Sequence, residues 1–225
     1  DKVPSGIPGR LADKAHVLPV PVDVEQFSAG SSAWPGTPDG PGRPMRLLWL
    51  GRFEHDKGGE HLLAVLERLE SLSITYELAV VGQRFRRSPP AFSAISAAFG
   101  HRLVQFGYVQ ERDDYRALLA GADLVLSTAV HEFQGLAVME AVAAGCVPVV
   151  PDRLAYAELY PPPFRYASIP EDREQQAKAA TDCLLNAWSD MQAGRLKAPD
   201  LQRFSLVSMG PEYRSLLGGL EGPAG

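Results

Sequence analysis

The chain has 225 residues, of which 45% are hydrophobic and 22% are charged, and these are the proportions of an ordinary globular protein. Its formal net charge of −5 argues against nucleic-acid binding by this chain alone, because non-specific phosphate binding needs a basic face. No run of about 18 apolar residues is present, so we expect neither a transmembrane helix nor a membrane partner.

The first 45 residues predict little regular structure. Residues 1–27 contain the apolar run Ala15–Val22, whose prolines cannot donate hydrogen bonds to a ladder, and this pattern favours an edge strand. Residues 28–45 are crowded with Gly, Pro and Ser. Such a composition cannot bury apolar area, so we expect a flexible segment there.

From Arg46 onward, short apolar runs alternate with segments of helical periodicity. This alternation is typical of βαβ units, and the continuous apolar strands indicate a parallel sheet covered on both faces. We therefore predict a doubly wound, Rossmann-like α/β domain over residues 46–200 and a helical tail over 201–225. The predicted strands are Arg46–Leu50, Tyr76–Val81, Arg102–Phe106, Asp123–Ser127 and Val147–Val150. The predicted helices are Gly59–Leu69, Pro90–Phe99, Asp113–Ala120, Gln134–Ala144, Glu171–Ser189 and a short one near Pro211–Leu217.

Several kinds of site are not supported by the sequence. Cys146 and Cys183 do not make a disulfide framework, which fits a reducing cytosol and a cytoplasmic location. There is no Walker loop and no G-x-G-x-x-G, so neither nucleoside triphosphate hydrolysis nor dinucleotide binding is indicated. Asp113-Asp114 opens a predicted helix, where acids favour the helix dipole, and we predict no metal site.

The stretch Ala129–Ala141 is the most informative part of the chain. It follows an apolar strand and turns through Gly135 into a helix, which presents backbone N–H groups at the carboxyl edge of the sheet. Open α/β sheets bind phosphorylated ligands at that edge. Glu132 precedes the helix, and Glu140 lies about five residues into it, roughly 7–8 Å along the axis. One acid can face a group near a diphosphate while the other reaches a ribose, so the stretch predicts a nucleotide-sugar site.

The loop after the first strand carries two cations, Arg52 and Lys57. An arginine fork can pair two phosphate oxygens, and a lysine is a compact charge, so together they can stabilise a departing diphosphate. The alternative is a surface turn in which these cations pair with Glu54 and Asp56. The nearby acidic pair of Glu132 and Glu140 favours the phosphate interpretation.

The ends of the next two strands point to the same edge. Gly82 closes the second strand and allows a ligand to approach the backbone, and the backbone near Val109, after the third strand, can meet a nucleobase. Each glycine alone is a weak signal, because many strands end in glycine. His131 lies beside Glu132 and is interpreted either as a contact of the donor sugar or as a structural histidine.

These motifs resemble a known family. Gly51-Arg52 and Lys57-Gly58 after the first strand, followed by Glu132 and Glu140 with an internal glycine, resemble the donor half of a GT-B, family 4-type retaining glycosyltransferase. The strings Trp49–Lys57, Ser127–Phe133 and Glu140–Pro148 are similar to the tRNA-queuosine mannosyltransferases. Those enzymes transfer mannose from GDP-mannose to queuosine in tRNA.

The resemblance implies roles for individual residues. Arg52 and Lys57 would bind the diphosphate and stabilise the departing GDP, and Glu132 would contact the mannose hydroxyls. Glu140 would accept hydrogen bonds from the ribose diol. The catalytic candidates are thus Arg52, Lys57 and Glu132, and the donor-binding candidates are Gly51, Gly82, Val109, His131, Gln134, Gly135, Leu136 and Glu140. Gln134 replaces the Phe or Gly that is usual in the family, which leaves its contact with the donor open.

The resemblance also implies an incomplete enzyme. Residues 1–27 would be the end of a linker from a missing amino-terminal domain, which would supply most contacts to the tRNA acceptor. Transfer would retain the anomeric configuration and need neither a metal nor a cofactor. We expect the chain alone to bind GDP or GDP-mannose weakly and to transfer nothing detectable.

Three alternatives stay open. The first is a family 4-type transferase with another nucleotide-sugar donor and a lipid or saccharide acceptor. The second is a non-catalytic nucleotide-binding or scaffolding domain that has kept the fold. The third is a nucleotide-sugar epimerase on the same scaffold.

Overall fold

The computed structural model describes residues 15–28, 32–84 and 88–218. Within these ranges, six strands form one sheet in which every paired neighbour is parallel. The strands are β1 (Met45–Leu50), β2 (Tyr76–Val81), β3 (Leu103–Gly107), β4 (Leu124–Leu126), β5 (Val147–Pro151) and β6 (Arg165–Tyr166). Their spatial order is β3-β2-β1-β4-β5-β6, so the direction of winding reverses between β1 and β4.

Eight helices lie in the described ranges, and six of them pack into two groups. The eight helices are α1 (Val24–Ser28), α2 (Gly59–Ser71), α3 (Pro90–Ala98), α4 (Arg112–Gly121), α5 (Leu136–Ala143), α6 (Ala155–Leu159), α7 (Arg173–Gln192) and α8 (Leu206–Gly218). Helices α2, α3 and α7 form one group, α1, α4 and α5 form the other, and the short helix α6 and the terminal helix α8 lie outside both. The residues of β1, β4 and β5 are all buried, as expected for strands covered on both faces. None of the helices in the described ranges combines the length and apolar character that crossing a membrane requires.

The predicted fold class is confirmed. All five predicted strands are present, and their observed ends differ from the predicted ones by no more than two residues. Strand β6 was not predicted because its two residues, paired with Val150 and Pro151, are too few to show a pattern. The helix predicted near Pro211–Leu217 begins earlier, at Leu206, and contains Pro211.

The edge strand predicted over Ala15–Val22 is wrong. Only Val22 forms a bridge, with Ser205, and Val17 is 86% exposed. The physical reason is that Pro19 and Pro21 remove two N–H groups from a short run, so no ladder can be completed.

The segment predicted to be flexible is hydrogen-bonded to the domain where it is described, at residues 32–44. The indole Nε1 of Trp34 donates to Glu77 Oε2 at 2.7 Å, and the Thr37 N–H donates to Glu77 Oε1 at 2.7 Å. Arg46 donates to the Thr37 carbonyl at 2.7 Å. Composition alone does not indicate these contacts, because the acceptor Glu77 lies 40 residues beyond Thr37.

The tail packs against the segment that enters the domain. The Tyr213 hydroxyl on α8 donates to the Pro19 carbonyl at 2.9 Å, and the Val22 N–H donates to the Phe204 carbonyl at 2.8 Å. These bonds bring both ends of the described chain to the same side of the domain as the loop that follows β4.

Candidate functional site

The carboxyl ends of β1 and β4 are neighbours at the point where the winding of the sheet reverses. A crevice is expected there, because the crossover connections on the two sides run in opposite directions. The loop after β1 and the loop after β4 are joined to each other. The Val130 N–H donates to the Asp56 carbonyl at 2.8 Å, and the Thr128 hydroxyl donates to the Lys57 carbonyl at 3.1 Å. The two loops therefore form one hydrogen-bonded unit.

Two glycines make this close packing possible. Gly58 has a φ of +70°, and a Cβ there would overlap the Thr128 carbonyl oxygen. A Cβ on Gly82 would overlap the carbonyl oxygen of Gly51. Gly82, predicted as a point of close ligand approach, is thus also required for the packing of β1 against β2 at this edge.

Two adjoining cavities open at this edge of the sheet. The first cavity has a volume of about 490 Å³ and the second about 420 Å³, sizes suited to a bound small molecule. Four residues line both cavities: Leu50, Gly51, Arg52 and Ala137. The two cavities thus form a single cleft across the reversal point.

The predicted site residues divide between the two cavities. Gly82, Val109 and Glu140 line the first cavity, and Gly51 and Arg52 line both. Lys57, Glu132, Gln134, Gly135 and Leu136 line the second. His131 is exposed and is not among the residues that line either cavity.

Lys57 and Glu132 form an ion pair in the second cavity. Lys57 Nζ lies 2.9 Å from Glu132 Oε2 and 3.4 Å from Asp56 Oδ2. The Lys57 side chain is only 14% exposed, so its charge is held close to the cavity wall. An anion entering here would compete with two carboxylates for the ammonium group.

Arg52 is more exposed than Lys57, since 55% of its side chain is accessible. Its guanidinium lies 3.0 Å from Glu54 Oε2 and 4.0 Å from Asp56 Oδ2. The pairing of Arg52 and Lys57 with loop carboxylates is thus present, and both cations also line the cleft. The two interpretations of this loop are compatible.

Helix α5 begins at the second cavity. Gly135 precedes it with a φ of +75°, a conformation that glycine adopts without strain, and a Cβ would collide with Tyr156. The Met139 N–H donates to the Gly135 carbonyl, which places the N–H groups of Leu136, Ala137 and Val138 at the open end of the helix. All three residues line the second cavity, so this helix end can bind an anion there.

Glu140 is held by a tyrosine in the first cavity. The Tyr115 hydroxyl donates to Glu140 Oε2 at 2.7 Å, and the Tyr115 ring packs edge-on against Phe27 of α1. Burial raises the pKa of Glu140, while the Tyr115 hydrogen bond and the charge of Arg112 act in the opposite direction. Glu140 thus remains available as an acceptor with its orientation set by a neighbour.

Gln134 is occupied by the backbone of the entering segment. Its Nε2 donates to the Val20 carbonyl at 2.7 Å, and its Oε1 accepts from the Val20 N–H at 2.8 Å. Both polar ends of this amide therefore bond to protein rather than point freely into the cavity.

The structure adds residues that sequence reasoning missed. Tyr115, Arg112, Tyr108, Gln83 and Gln110 line the first cavity, and Val20 lines the second. Tyr115 lies in a helix whose periodicity gives no sign that its hydroxyl meets Glu140. No local signal in the sequence singles out these residues.

The geometry can be compared with known proteins. A family model described as "Family 4 Glycosyltransferase in conflict systems" matches residues 8–202. The chain belongs to this family of glycosyltransferases. The tRNA-queuosine alpha-mannosyltransferase of Drosophila melanogaster is 34% identical over 154 residues, which are 68% of this chain and 41% of that protein. The resemblance inferred from the motifs is confirmed.

A second relative is also a mannosyltransferase. The GDP-mannose:cellobiosyl-diphosphopolyprenol alpha-mannosyltransferase of Xanthomonas campestris is 27% identical over 190 residues, which are 84% of this chain and 47% of that protein. The chain thus spans less than half the length of these two relatives.

Solved glycosyltransferases share the fold. A glycosyltransferase from Rickettsia africae superposes with a TM-score of 0.67 at 18% identity, covering 94% of this chain and 59% of that one. Anabaena HepE in complex with UDP superposes with a TM-score of 0.66 at 18% identity, covering 93% of this chain and 58% of that one. These neighbours are GT-B glycosyltransferases, as the fold prediction required.

Proposed function

We propose that this chain is the donor-binding domain of a retaining glycosyltransferase that transfers mannose from GDP-mannose to queuosine in tRNA. The observation that carries the proposal is the single cleft that links Glu140 in the first cavity to Lys57 and Glu132 in the second. A nucleotide sugar needs such a sequence of sites: an acceptor for the ribose, positive charge for the diphosphate and polar groups for the sugar. The names of two mannosyltransferase relatives support mannose as the sugar.

In this proposal the nucleoside occupies the first cavity. The carboxylate of Glu140 accepts hydrogen bonds from the ribose diol, and Gly82 and Val109 border the base. The diphosphate crosses Gly51 and Arg52, which line both cavities, and reaches the beginning of α5. The mannose then lies in the second cavity beside Glu132.

The chemical step breaks the bond between the anomeric carbon and the oxygen of the β-phosphate, while a hydroxyl oxygen of the acceptor forms the new bond to that carbon and releases its proton. The electron pair of that bond passes to the phosphate oxygen, so negative charge grows on GDP as it leaves. Lys57, Arg52 and the N–H groups at the start of α5 lie where they would stabilise this charge. Lys57 would then exchange its carboxylate partners for the phosphate, which leaves Glu132 free for the sugar hydroxyls.

We propose that the residues of the cleft perform these tasks without a metal and that the whole reaction is metal-independent. The described part of the chain contains no group of three or more His, Cys, Asp or Glu side chains arranged to hold an ion. A net charge of −5 does not favour binding of the tRNA backbone, so we propose that another domain supplies most acceptor contacts.

A different nucleotide donor is the alternative with an observation behind it. Anabaena HepE, which shares this fold, was solved with UDP. The first cavity would then take uracil in place of guanine, and the diphosphate contacts would stay the same.

Calorimetry with GDP, UDP and ADP on this chain tests the donor. We expect GDP to bind most tightly, and a preference for UDP would contradict the mannose assignment. Incubation of the chain with GDP-mannose and queuosine-containing tRNA tests the domain role. We expect no transfer, whereas a rate comparable with that of a two-domain relative would contradict it.

A further inference from the structure

Residues 15–22 form no helix or extended ladder, yet they are attached to the domain at three consecutive points. Pro19 accepts a hydrogen bond from Tyr213, Val20 exchanges two with Gln134, and Val22 donates one to Phe204. The first and third contacts reach the tail of the chain. Only the middle contact reaches the loop that carries Glu132.

The Gln134 side chain bonds to both the N–H and the carbonyl of Val20, as the backbone of a paired strand would. Gln134 Oε1 accepts from the Val20 N–H at 2.8 Å while Gln134 Nε2 donates to the Val20 carbonyl at 2.7 Å. A carboxamide can do both at once, because it has an acceptor and a donor on the same planar group. A carboxylate would lose the donor, and an aliphatic side chain would lose both.

Val20 is a part of the cleft and not merely a neighbour of it. It lines the second cavity together with Lys57, Glu132 and Gly135. Val20 is 50% exposed, so the cavity wall at this place depends on the position of a segment with little packing of its own.

We propose that Val20 forms a wall of the sugar end of the donor site and that Gln134 is the positioning residue that holds this wall in place. The inference rests on the proposed function, since the sugar is taken to occupy the second cavity. Gln134 acts through Val20, because both ends of its amide are already bonded to that residue. The wall limits the second cavity beside Glu132, and the nucleoside in the first cavity does not meet it.

The test compares GDP-mannose with GDP on the whole chain by calorimetry. Gln134→Leu removes both hydrogen bonds with little change in side-chain size. One neutral hydrogen bond corresponds to about two- to tenfold in an equilibrium constant. We expect Gln134→Leu to lower the affinity for GDP-mannose by about threefold to tenfold and to leave the affinity for GDP within twofold. Gln192→Leu, at an exposed position at the end of α7, is the matched control and should change neither.

Hydrogen exchange provides a second readout that separates positioning from a general loss of structure. In Gln134→Leu the Val20 amide should exchange faster, while the amides of β1 and β4 keep their protection. Gln134→Met is similar in length and also uncharged but lacks the amide donor and acceptor, so it should show the same selective loss of GDP-mannose affinity.

Three outcomes would overturn the inference. In Gln134→Leu, they are an equal loss of affinity for GDP and GDP-mannose, no loss of affinity for either ligand, and an unchanged hydrogen-exchange rate at the Val20 amide. If the unmodified chain binds neither GDP nor GDP-mannose, the proposed function itself fails, and this result is distinguishable because it precedes any substitution.

Discussion

The two cavities of the cleft are built on opposite principles. In the first, the carboxylate of Glu140 is partly buried and already bonded to the partly buried Tyr115, which α1 supports through Phe27. In the second, the charged groups are paired with each other: Lys57 contacts Glu132 and Asp56. The first cavity is therefore organised before a ligand arrives, and the second has to exchange partners when one binds.

This difference has a physical basis in what each end would bind. A ribose diol is neutral and needs an acceptor in a fixed orientation, so a braced carboxylate suits it. A diphosphate is highly charged and is shared by every nucleotide-sugar donor. Cations that face it unpaired in the empty site would repel each other, and the carboxylates of the loop compensate for that charge until the ligand replaces them.

The largest effect is expected from Lys57→Ala, which removes the cation of the ion pair in the second cavity. It removes a partly buried charge and leaves the carboxylates of Glu132 and Asp56 without that partner, so GDP affinity should fall about a hundredfold. GMP lacks the β-phosphate and should lose less. Titration calorimetry with both nucleotides measures the difference. Lys178→Ala, which removes an exposed lysine paired with Asp182 on α7, is the control. Equal losses for GMP and GDP would place Lys57 at the nucleoside end.

The next largest effect is expected from Glu140→Gln, which removes the negative charge of the acceptor in the first cavity. Loss of a charge-assisted hydrogen bond to the ribose should lower GDP affinity about tenfold or more. The affinity for 2′,3′-dideoxy-GDP should not change, because that ligand lacks the diol. If Glu140→Gln leaves GDP binding intact, the acid is structural, and a non-catalytic domain that has merely kept the fold becomes the better interpretation.

The pH dependence sharpens the same point. Burial raises the pKa of Glu140, so the carboxylate is present above that raised pKa and is lost as the pH falls through it. The advantage of GDP over dideoxy-GDP should therefore shrink on acidification, beginning at a higher pH than for an exposed carboxyl. Taking the difference between the two ligands removes the titration of their common phosphates. A constant advantage across the acidic range would argue against an ionised Glu140 on the ribose.

A smaller effect is expected from Tyr115→Phe, which removes the hydrogen bond that orients Glu140 but keeps the Glu140 carboxylate as an acceptor. GDP affinity should fall about threefold, because the carboxylate still accepts from the ribose but is no longer held in a fixed orientation. The Tyr115 hydrogen bond lowers the pKa of Glu140, so the acid limb of GDP binding should move to higher pH in this variant. Arg112, the other group that lowers this pKa, remains. Tyr160→Phe removes the hydroxyl of a buried tyrosine outside the cleft and serves as the control; a shift of the acid limb there would show a nonspecific cause.

The smallest effect is expected from Arg52→Ala. Its side chain is 55% exposed, and exposed charges are screened by salt. GDP affinity should fall a few-fold at low ionic strength, and the loss should disappear in high salt. Calorimetry at two salt concentrations checks this. A large loss that salt does not reduce would show that Arg52 becomes buried against the diphosphate.

Most residues of the candidate site could be found from the sequence, and the reason is a general rule about sheets. Loops after parallel strands meet at the same edge, so Arg52 and Lys57 after β1 and Glu132 after β4 had to come together once the strands were recognised. Gly82, Val109 and Glu140 follow from the same rule. His131 shows the limit of this rule, because His131 is next to Glu132 in the sequence but does not line either cavity.

What the rule misses is contact between distant parts of the chain. Tyr115 reaches Glu140 across 25 positions, and Val20 reaches Gln134 across 114. A tyrosine on an amphipathic helix and a valine between prolines carry no local pattern that distinguishes these contacts from ordinary packing. The prediction of a flexible segment over residues 28–45 misses its hydrogen bonds for the same reason, because their acceptor, Glu77, lies on a strand further along the chain.

The sequence by itself determined the sheet, its carboxyl edge and the charges placed there, because hydrophobic periodicity and strand–loop–helix order are local properties. Only the tertiary structure decided how each polar side chain is held: Glu140 by Tyr115, Lys57 by Glu132, and Gln134 by the backbone of Val20. These pairings depend on which helices and segments pack together around the reversal point, and packing joins residues whose separation along the chain no local pattern records.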